Sequence, residues 1–180
     1  MSGHGHVDPS NKKIALVIAV LALFLAISET LSKAYQTEVI TKQVEASNLW
    51  SFFQAKSIRK TTTDVAVQAA QISPNAEDPK TVEQIKKWAA ASKRYDTEPD
   101  TGEGRKELAE RAKKAQALGE LANHKYHNLE ISSGVLQVAI VLASSAIITN
   151  VMMLAWLAGG LGIVAVGFGI FAMFGAAALF

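Results

Sequence analysis

Three side chains of types that bind divalent metal ions lie on one predicted helix face, just before a long apolar run. Glu120, His124 and His127 are four and three residues apart, so a helix places them on one side. Carboxylate and imidazole groups are zinc ligands. No HExxH motif and no paired Glu-x-x-His motif accompanies them. We therefore favour a polar helix face beside the membrane over a metal-binding sensor, and the sequence indicates no cofactor.

Polar side chains also occur within the apolar segments. Glu29 lies near the end of the first segment, and Gln137 and Asn150 lie in the second. Ionisable groups inside membranes often mark proton or ion paths, and a pore-like oligomer would line its path with these three residues. Lys33, four residues after Glu29, is positioned to pair with it. We favour a structural role for Glu29 and interhelical hydrogen bonds from Gln137 and Asn150.

Motifs for familiar enzyme chemistry are missing from the sequence. It contains no GxSxG, P-loop or GxGxxG pattern. It contains no cysteine, which excludes disulfides, thiol catalysis and cysteine-ligated zinc. The net charge of +2 comes without a dense basic cluster, so nucleic acid is not an expected partner. We predict no catalytic residues and no enzyme activity.

The elements that must position these polar residues are long apolar helices. No charged residue and no histidine occurs from Ile131 to Phe180, a run long enough for two spans of about 20 residues each. The block from Ile14 to Leu31 contains one ionisable residue. It is too long for a signal-peptide core and no A-x-A cleavage site follows, so we interpret it as an uncleaved anchor. The sequence predicts an all-α integral membrane protein with three transmembrane helices.

The polar stretch between the first and second spans is predicted to form a long helical hairpin outside the membrane. Asp8-Pro9 is a helix start, and the next Pro or Gly is Pro74, so one helix of roughly 95 Å is expected. A second Asp-Pro start predicts a short helix near 80–95, and a third helix from about Arg105 leads into the second span. The two legs are expected to pair like a coiled coil. The predicted organisation is a disordered tail over 1–9, a transmembrane helix over 10–32, the hairpin over 33–130, and transmembrane helices over 131–151 and 158–180.

An aromatic cluster interrupts the regular pattern of the first leg. Leu49, Trp50, Phe52 and Phe53 cover about 160° of a helix surface, which is wider than a two-helix hairpin can bury. Either the short helix covers the excess or another subunit does. We favour another subunit, because exposed apolar patches mark interfaces.

Small residues recur at alternating spacings of four and three in all three spans. Such stripes let helix backbones approach closely in lipid, where apolar burial alone gives no drive to associate. The third stripe is the longest, and we predict that its helix packs tightly within the chain or against another subunit. The stripes are Ala15, Ala19, Ala22 and Ala26 before Glu29; Ala139, Ala143 and Ala146 before Asn150; and Ala158, Gly162, Ala165, Gly169, Ala172 and Ala176.

The residues flanking the spans bear on topology. Trp156 and the pair Gly159-Gly160 predict a turn at the membrane surface, joining the second and third spans around positions 150–160. Lys12 and Lys13 abut the first span and favour a cytoplasmic N-terminus, whereas lysines on its other side favour the reverse. The intervening segment is too long for its charge to count, so we predict a cytoplasmic N-terminus.

The order of these features resembles a bacterial membrane family. The resemblance rests on Asn11-Lys12-Lys13, on an anchor ending in Ser28-Glu29-Thr30 and on the segment from Glu45 to Lys56, in which positions 48–56 are the most specific. The family is catalogued as domain-of-unknown-function family forty-three thirty-seven, and the resemblance covers nearly the whole chain. It implies a bacterial inner-membrane protein with no assigned activity and supplies no catalytic residues. With the cytoplasmic N-terminus predicted from Lys12 and Lys13, the hairpin would lie in the periplasm.

Together these features predict a membrane-anchored structural or interaction protein that forms a homo-oligomer. The aromatic cluster and the small-residue stripes would supply its contacts. Its expected partners are the lipid bilayer, further copies of the chain and another membrane complex. A pore or channel-like oligomer and a metal-binding membrane sensor are the alternatives.

Overall fold

The protein is all-helical over the residues that the structure describes. The structure is a computed structural model that describes residues 9–174. Within this range the chain forms four helices and no strands: α1 (Pro9–Gln71), α2 (Pro79–Asp96), α3 (Arg105–Thr149) and α4 (Met152–Phe174). The tail predicted over 1–9 lies outside the described residues except for Pro9, which begins α1.

The chain divides into two compact units, which are best considered one at a time. The span unit consists of residues 1–39 and 120–180, and the polar unit consists of residues 40–119. Helices α1 and α3 each contribute to both units. Helix α2 belongs to the polar unit and α4 to the span unit.

The breaks around α2 follow from local sequence chemistry. The Asp78 carboxylate accepts a hydrogen bond of 3.1 Å from the backbone nitrogen of Lys80, and Pro79 occupies the first turn. Before α3, Gly102 has a φ of +66°, a conformation that favours glycine. A Cβ on Gly104 would collide with the backbone of the preceding loop, so this turn also requires glycine.

Helices α3 and α4 are joined by two residues rather than by the predicted turn around 150–160. Asn150 has a φ of +54°, a left-handed conformation that asparagine tolerates better than most residues, and α4 begins at Met152. Trp156 and the pair Gly159-Gly160 are therefore helical, and the third candidate span begins before position 158. Since one left-handed residue ends α3, the glycines are not needed for the turn and keep their helical hydrogen bonds.

Three of the four helices are long and apolar enough to cross a membrane. The candidate spans lie within Asn11–Gln71, Arg105–Thr149 and Met152–Phe171. Only 17% of the most apolar 18-residue segment of α1 and of α4, and 33% of that of α3, is buried within the chain. Most of this apolar surface is therefore left uncovered by the chain itself.

The core of the span unit combines small residues of α3 and α4 with larger side chains of α1. Leu21 packs with Leu136, Ala139 and Ala165, in a cluster separate from the one around Ile14. A Cβ on Gly162 would collide with the Leu21 side chain, so α4 approaches α1 closely there. The predicted stripe residues that are buried are Ala139, Ala143, Ala146, Ala158, Gly162, Ala165 and Gly169. The side chain of Ala172 and the whole of Ala176 lie outside the described residues.

The small-residue stripe of α1 is placed differently from those of α3 and α4. Ala15, Ala19, Ala22 and Ala26 are all exposed. The buried face of α1 is offset by about one residue and carries Ile14, Leu21, Ser28 and Ser32. Close packing explains the difference, because larger side chains of α1 fill space that three meeting stripes of small residues would leave empty.

The polar unit has a core of its own, formed by Ala46, Leu49, Leu108, Ala112 and Ala115. The partly buried rings of Trp50 and Phe53 pack against this core, with their centroids 5.4 Å apart in an edge-to-face arrangement. The chain therefore covers three of the four residues of the aromatic cluster, and the fourth, Phe52, stays 57% exposed.

Candidate functional site

A polar cavity of about 400 Å³ lies on the span unit, between α1 and α3. It is found where the charged part of the sequence meets the apolar part: Glu130 is the last charged residue before the charge-free run, and Glu29 and Lys33 lie at the end of the first apolar block. The lining residues are Glu29, Ser32, Lys33, Gln36, Tyr126, Glu130, Ser133, Gly134 and Gln137.

Glu29 contacts a residue of α3 rather than its neighbour on α1. Gln137 Nε2 donates a hydrogen bond of 3.2 Å to Glu29 Oε1. The expected pair between Glu29 and Lys33 does not form, and among residues 9–174 no carboxylate lies within 4.0 Å of the Lys33 ammonium. The side chain of Gln137 reaches Glu29 from the facing helix, and within the described residues neither Glu29 nor Lys33 has an ionic partner.

Glu130 forms the second acidic wall of the cavity. Tyr126 donates its hydroxyl to Glu130 Oε1 at 3.2 Å. This hydrogen bond and the negative charge of Glu130 raise the pKa of Tyr126 above its ordinary value. His127 Nδ1 lies 3.8 Å from Glu130 Oε2 and forms an ion pair only when protonated. In the described part of the chain, Glu130 has no Lys or Arg partner.

Beneath the cavity, buried serine hydroxyls join the three helices. Ser133 Oγ donates to Ser28 Oγ at 3.0 Å, and Ser28 Oγ donates to the carbonyl of Leu129 at 3.2 Å. Ser132 Oγ donates to the carbonyl of Ala165 on α4 at 2.8 Å. A buried hydroxyl needs such an acceptor, and in an apolar bundle these bonds hold helices in register.

These serines were not among the predicted site residues, although the sequence contains a signal for them. Ser28 and Ser32 continue the spacing of four and three that begins at Ile14 and Leu21, so they belong to the buried face of α1. The predicted contact face of α1 was instead its alanine stripe. The signal is a pair of hydroxyl residues on the helix face that carries Ile14 and Leu21.

Asn150 is separate from Glu29 and Gln137, the other two polar residues singled out in the predicted spans. It lies thirteen positions after Gln137 in the sequence and terminates α3, roughly 20 Å along the helix at 1.5 Å per residue. Glu29 and Gln137 meet, but Asn150 does not join them. A path lined by all three residues within one chain is therefore not formed.

The predicted metal ligands Glu120, His124 and His127 are not assembled into a metal site. Over residues 9–174 there is no group of three or more His, Cys, Asp or Glu side chains placed to hold a metal ion. His127 instead approaches Glu130. One helix face offers ligands from one side only, and a tetrahedral ion needs ligands from a second element.

A second cavity, of about 490 Å³, lies in the polar unit beside Phe52. Its apolar wall consists of Val44, Leu49, Phe52 and Leu108, and its polar rim includes Glu45 and Arg111. Phe52 and Val44 are both more than half exposed, so the apolar wall of this cavity is open.

Ion pairs hold the elements of the polar unit together. Arg105 Nη2 lies 2.8 Å from Asp96 Oδ1, and Lys106 Nζ lies 3.3 Å from Asp96 Oδ2. Burial acts to raise the pKa of Asp96, but the charges and hydrogen bonds of Lys106 and Arg105 outweigh it, and the pKa lies below its ordinary value. Hydrogen bonds from Lys60 and Ser92 likewise lower the pKa of Asp64.

The comparisons with known proteins give a family without an activity. No curated protein and no solved structure matches the chain. One family model, described as Domain of unknown function (DUF4337), matches residues 10–175. This match covers nearly the whole sequence, and the chain belongs to that family.

Proposed function

We propose that this chain is a membrane-anchored structural or interaction protein of the bacterial inner membrane. In this proposal α1, α3 and α4 supply three transmembrane helices, and residues 33–130 form an extramembrane helical hairpin. The chain assembles as a homo-oligomer, has no catalytic activity, and supports another membrane complex.

The uncovered apolar surface of the span unit supports the membrane placement. Trp156 is 78% exposed, and Leu16 and Ile163 are similarly open. Apolar surface in water costs about 25 cal/mol for each Å², so a surface of this kind needs lipid or protein to cover it. The chain should stay in the membrane pellet after an alkaline carbonate wash and enter solution only with detergent.

The packing of the polar unit supports the hairpin. Two helix segments far apart in sequence share one core, because Ala46 and Leu49 of α1 contact Leu108, Ala112 and Ala115 of α3. A coiled-coil-like pair of legs accounts for the three-and-four spacing of these residues. The short helix α2 belongs to the same unit and would lie near its tip.

The single observation that supports the proposed homo-oligomer is the exposed apolar surface at Phe52. Three residues of its aromatic cluster are covered within the chain, yet Phe52 stays open beside Val44 and a cavity of about 490 Å³. This surface belongs to the charged part of the chain, where lipid does not explain it. A second copy is the covering partner we propose, because aromatic residues beside a cavity are typical of interface centres.

The mass of the purified protein in detergent tests the oligomer. Wild-type chain should elute as a multimer, and Phe52→Gln should shift it towards monomer. Ile58→Gln is the matched control, because Ile58 is also more than half exposed on α1 but does not line the cavity. A wild-type protein that stays monomeric at every concentration excludes the proposal.

The orientation we propose has the N-terminus in the cytoplasm and the hairpin in the periplasm. Lys12 and Lys13 directly before the first apolar block support it. The chain has no cysteine, so Asn75→Cys introduces a single thiol in the turn before α2. A membrane-impermeant thiol reagent should label this variant in spheroplasts, and labelling only after lysis would reverse the orientation.

A pore-forming oligomer is the second candidate, and one observation favours it. Glu29 and Gln137 meet at an accessible cavity of the span unit, and copies arranged around an axis would bring several such pairs together. Ion flux into liposomes separates this candidate from a purely structural protein. Flux that is reduced in Glu29→Ala supports a pore, and no flux in either protein removes it.

A further inference from the structure

The cavity between α1 and α3 contains charges that do not neutralise one another. Glu29 and Glu130 have no Lys or Arg partner in the described chain, and Lys33, which lines the same cavity, has no carboxylate partner. A glutamate followed four residues later by a lysine on a helix usually pairs. Here both groups are left available to a bound molecule that carries charges of both signs.

We propose that this cavity binds the phosphoethanolamine head group of a membrane lipid. The primary ammonium would lie between Glu29 and Glu130. Within the described residues each of these carboxylates accepts one side-chain hydrogen bond, from the neutral donors Gln137 and Tyr126 respectively. The phosphodiester would lie at Lys33. Charge-assisted hydrogen bonds of this kind are about twice as strong as neutral ones.

The chemistry of the cavity selects against other common head groups. A trimethylammonium group has no N–H to donate, so choline cannot replace ethanolamine between two carboxylates. A phosphoglycerol group has no cation and would meet the two acidic walls unfavourably. The cavity carries two negative charges and one positive charge, so a free anion is also disfavoured.

The place and size of the cavity fit a lipid head group. It lies where both α1 and α3 change from charged to apolar sequence, which in the proposed membrane placement is the level of the head groups. Its volume of about 400 Å³ is within the range of roughly 300–1,000 Å³ for small-molecule sites. The inference rests on the membrane placement of the proposed function and not on the oligomer or the pore.

Native mass spectrometry of the full chain in mixed detergent and lipid micelles tests this inference. The probes are phosphatidylethanolamine, phosphatidylcholine and phosphatidylglycerol with identical acyl chains. Wild-type protein should retain the ethanolamine lipid about tenfold more strongly than either other lipid, the ratio expected for one charge-assisted hydrogen bond. Equal retention of the three lipids would overturn the proposal.

Glu29→Gln is the main variant, because a glutamine at this position still accepts the hydrogen bond from Gln137 but has no charge. It should lose the preference for the ethanolamine lipid, whereas Lys33→Gln should lower the retention of the ethanolamine and choline lipids by the same factor. Glu38→Gln, on α1 outside the cavity, is the control and should match the wild type. A Glu29→Gln protein of normal helicity that keeps the full preference contradicts the assignment.

Two further readouts separate this inference from the rest of the proposed function. Water-soluble glycerophosphoethanolamine at millimolar concentration should not displace the bound lipid. Displacement would show that the cavity binds a soluble head group rather than a membrane lipid, and would overturn the proposal. The same spectra report the subunit number. A monomer that prefers the ethanolamine lipid would support the lipid site and exclude the homo-oligomer. An oligomer without this preference would support the homo-oligomer and exclude the lipid site.

Discussion

Both units of this chain bury alanine at their helix contacts, but the polar contacts beside the buried alanines differ between the units. In the span unit Ala139 and Ala143 are fully buried, and the polar contacts around them are serine hydroxyls. In the polar unit Ala112 and Ala115 are also buried. The polar contacts there are ion pairs and cations over aromatic rings, as where Arg105 lies 5.8 Å from the Phe53 ring. The same packing is therefore combined with different polar chemistry.

This difference indicates two separate sources of stability. In water, burying an apolar side chain removes it from solvent and contributes free energy, so the polar unit gains from each core residue. In the proposed membrane placement the surroundings of the span unit are already apolar, so this unit would gain only from close contact and from hydrogen bonds. Equivalent substitutions in the two units should have unequal effects.

The largest difference is expected between two leucine truncations. Leu108 is 2% exposed in the polar unit and Leu136 is 1% exposed in the span unit. Leu108→Ala should destabilise the polar unit by about 2–5 kcal/mol, through the lost transfer free energy of the side chain and the cavity it leaves. In the proposed membrane placement Leu136→Ala should cost roughly half as much, because the transfer free energy is absent in lipid and only the cavity contributes. Denaturant unfolding of each variant in detergent, monitored by hydrogen exchange in each unit, measures both losses of unfolding free energy. Equal costs would contradict separate sources of stability.

Adding volume should affect the span unit where helices are closest. Gly162→Val places a branched side chain against Leu21, and overpacking of this kind costs about 1–3 kcal/mol. Gly167→Val is the control, because a Cβ at Gly167 meets nothing within 4 Å. Thermal unfolding of both variants in the same detergent should separate them. An unchanged Gly162→Val would show that α4 does not rely on this contact.

The helices and their periodicity could be predicted from the sequence. Apolar runs, Asp-Pro starts and the lack of Gly or Pro between positions 10 and 73 define α1, and α2 and α3 begin where expected. The predicted turn before α4 was wrong. A Gly-Gly pair such as Gly159-Gly160 indicates a turn in a water-soluble chain, whereas an apolar helix accommodates it without a break. A single left-handed residue, Asn150, makes the reversal instead.

The contacts between helices were harder to predict. A stripe of small residues shows which face is capable of close approach but not which partner it meets, so the exposure of Ala15 and Ala19 could not be foreseen. The pairing of Glu29 with Gln137 rather than Lys33 depends on the register between α1 and α3. That register follows from long-range packing, which one sequence without its structure does not contain.

A smaller effect is expected from the serine contacts of the span unit. Ser133→Ala removes the hydrogen bond to Ser28, and interhelical hydrogen bonds in membranes average about 0.6 kcal/mol. A double-mutant cycle with Ser28→Ala isolates the interaction between the two hydroxyls. Gly134→Ala, next in sequence at an open position, is the control. A coupling of zero would mean that the buried serines contribute packing alone.

The smallest effect is a difference in pH dependence between the units. The pKa of Asp96 lies below its ordinary value because Lys106 and Arg105 outweigh burial, and Lys60 and Ser92 lower the pKa of Asp64. A carboxyl group with a lowered pKa stabilises the folded state above its ordinary pKa of about 4, and this contribution is lost as the pH falls through the folded value.

The polar unit should therefore unfold more easily as the pH falls from 5 towards 3, and Asp96→Asn should reduce that dependence. Single-tryptophan variants measure each unit separately, with Trp50 in the polar unit and Trp156 in the span unit. Asp100→Asn, in the loop after α2, is the control. The Trp156 signal should change less with pH, because the apolar segments contain a single ionisable residue, Glu29. An equal pH dependence at both tryptophans would show that ion pairs do not distinguish the two units.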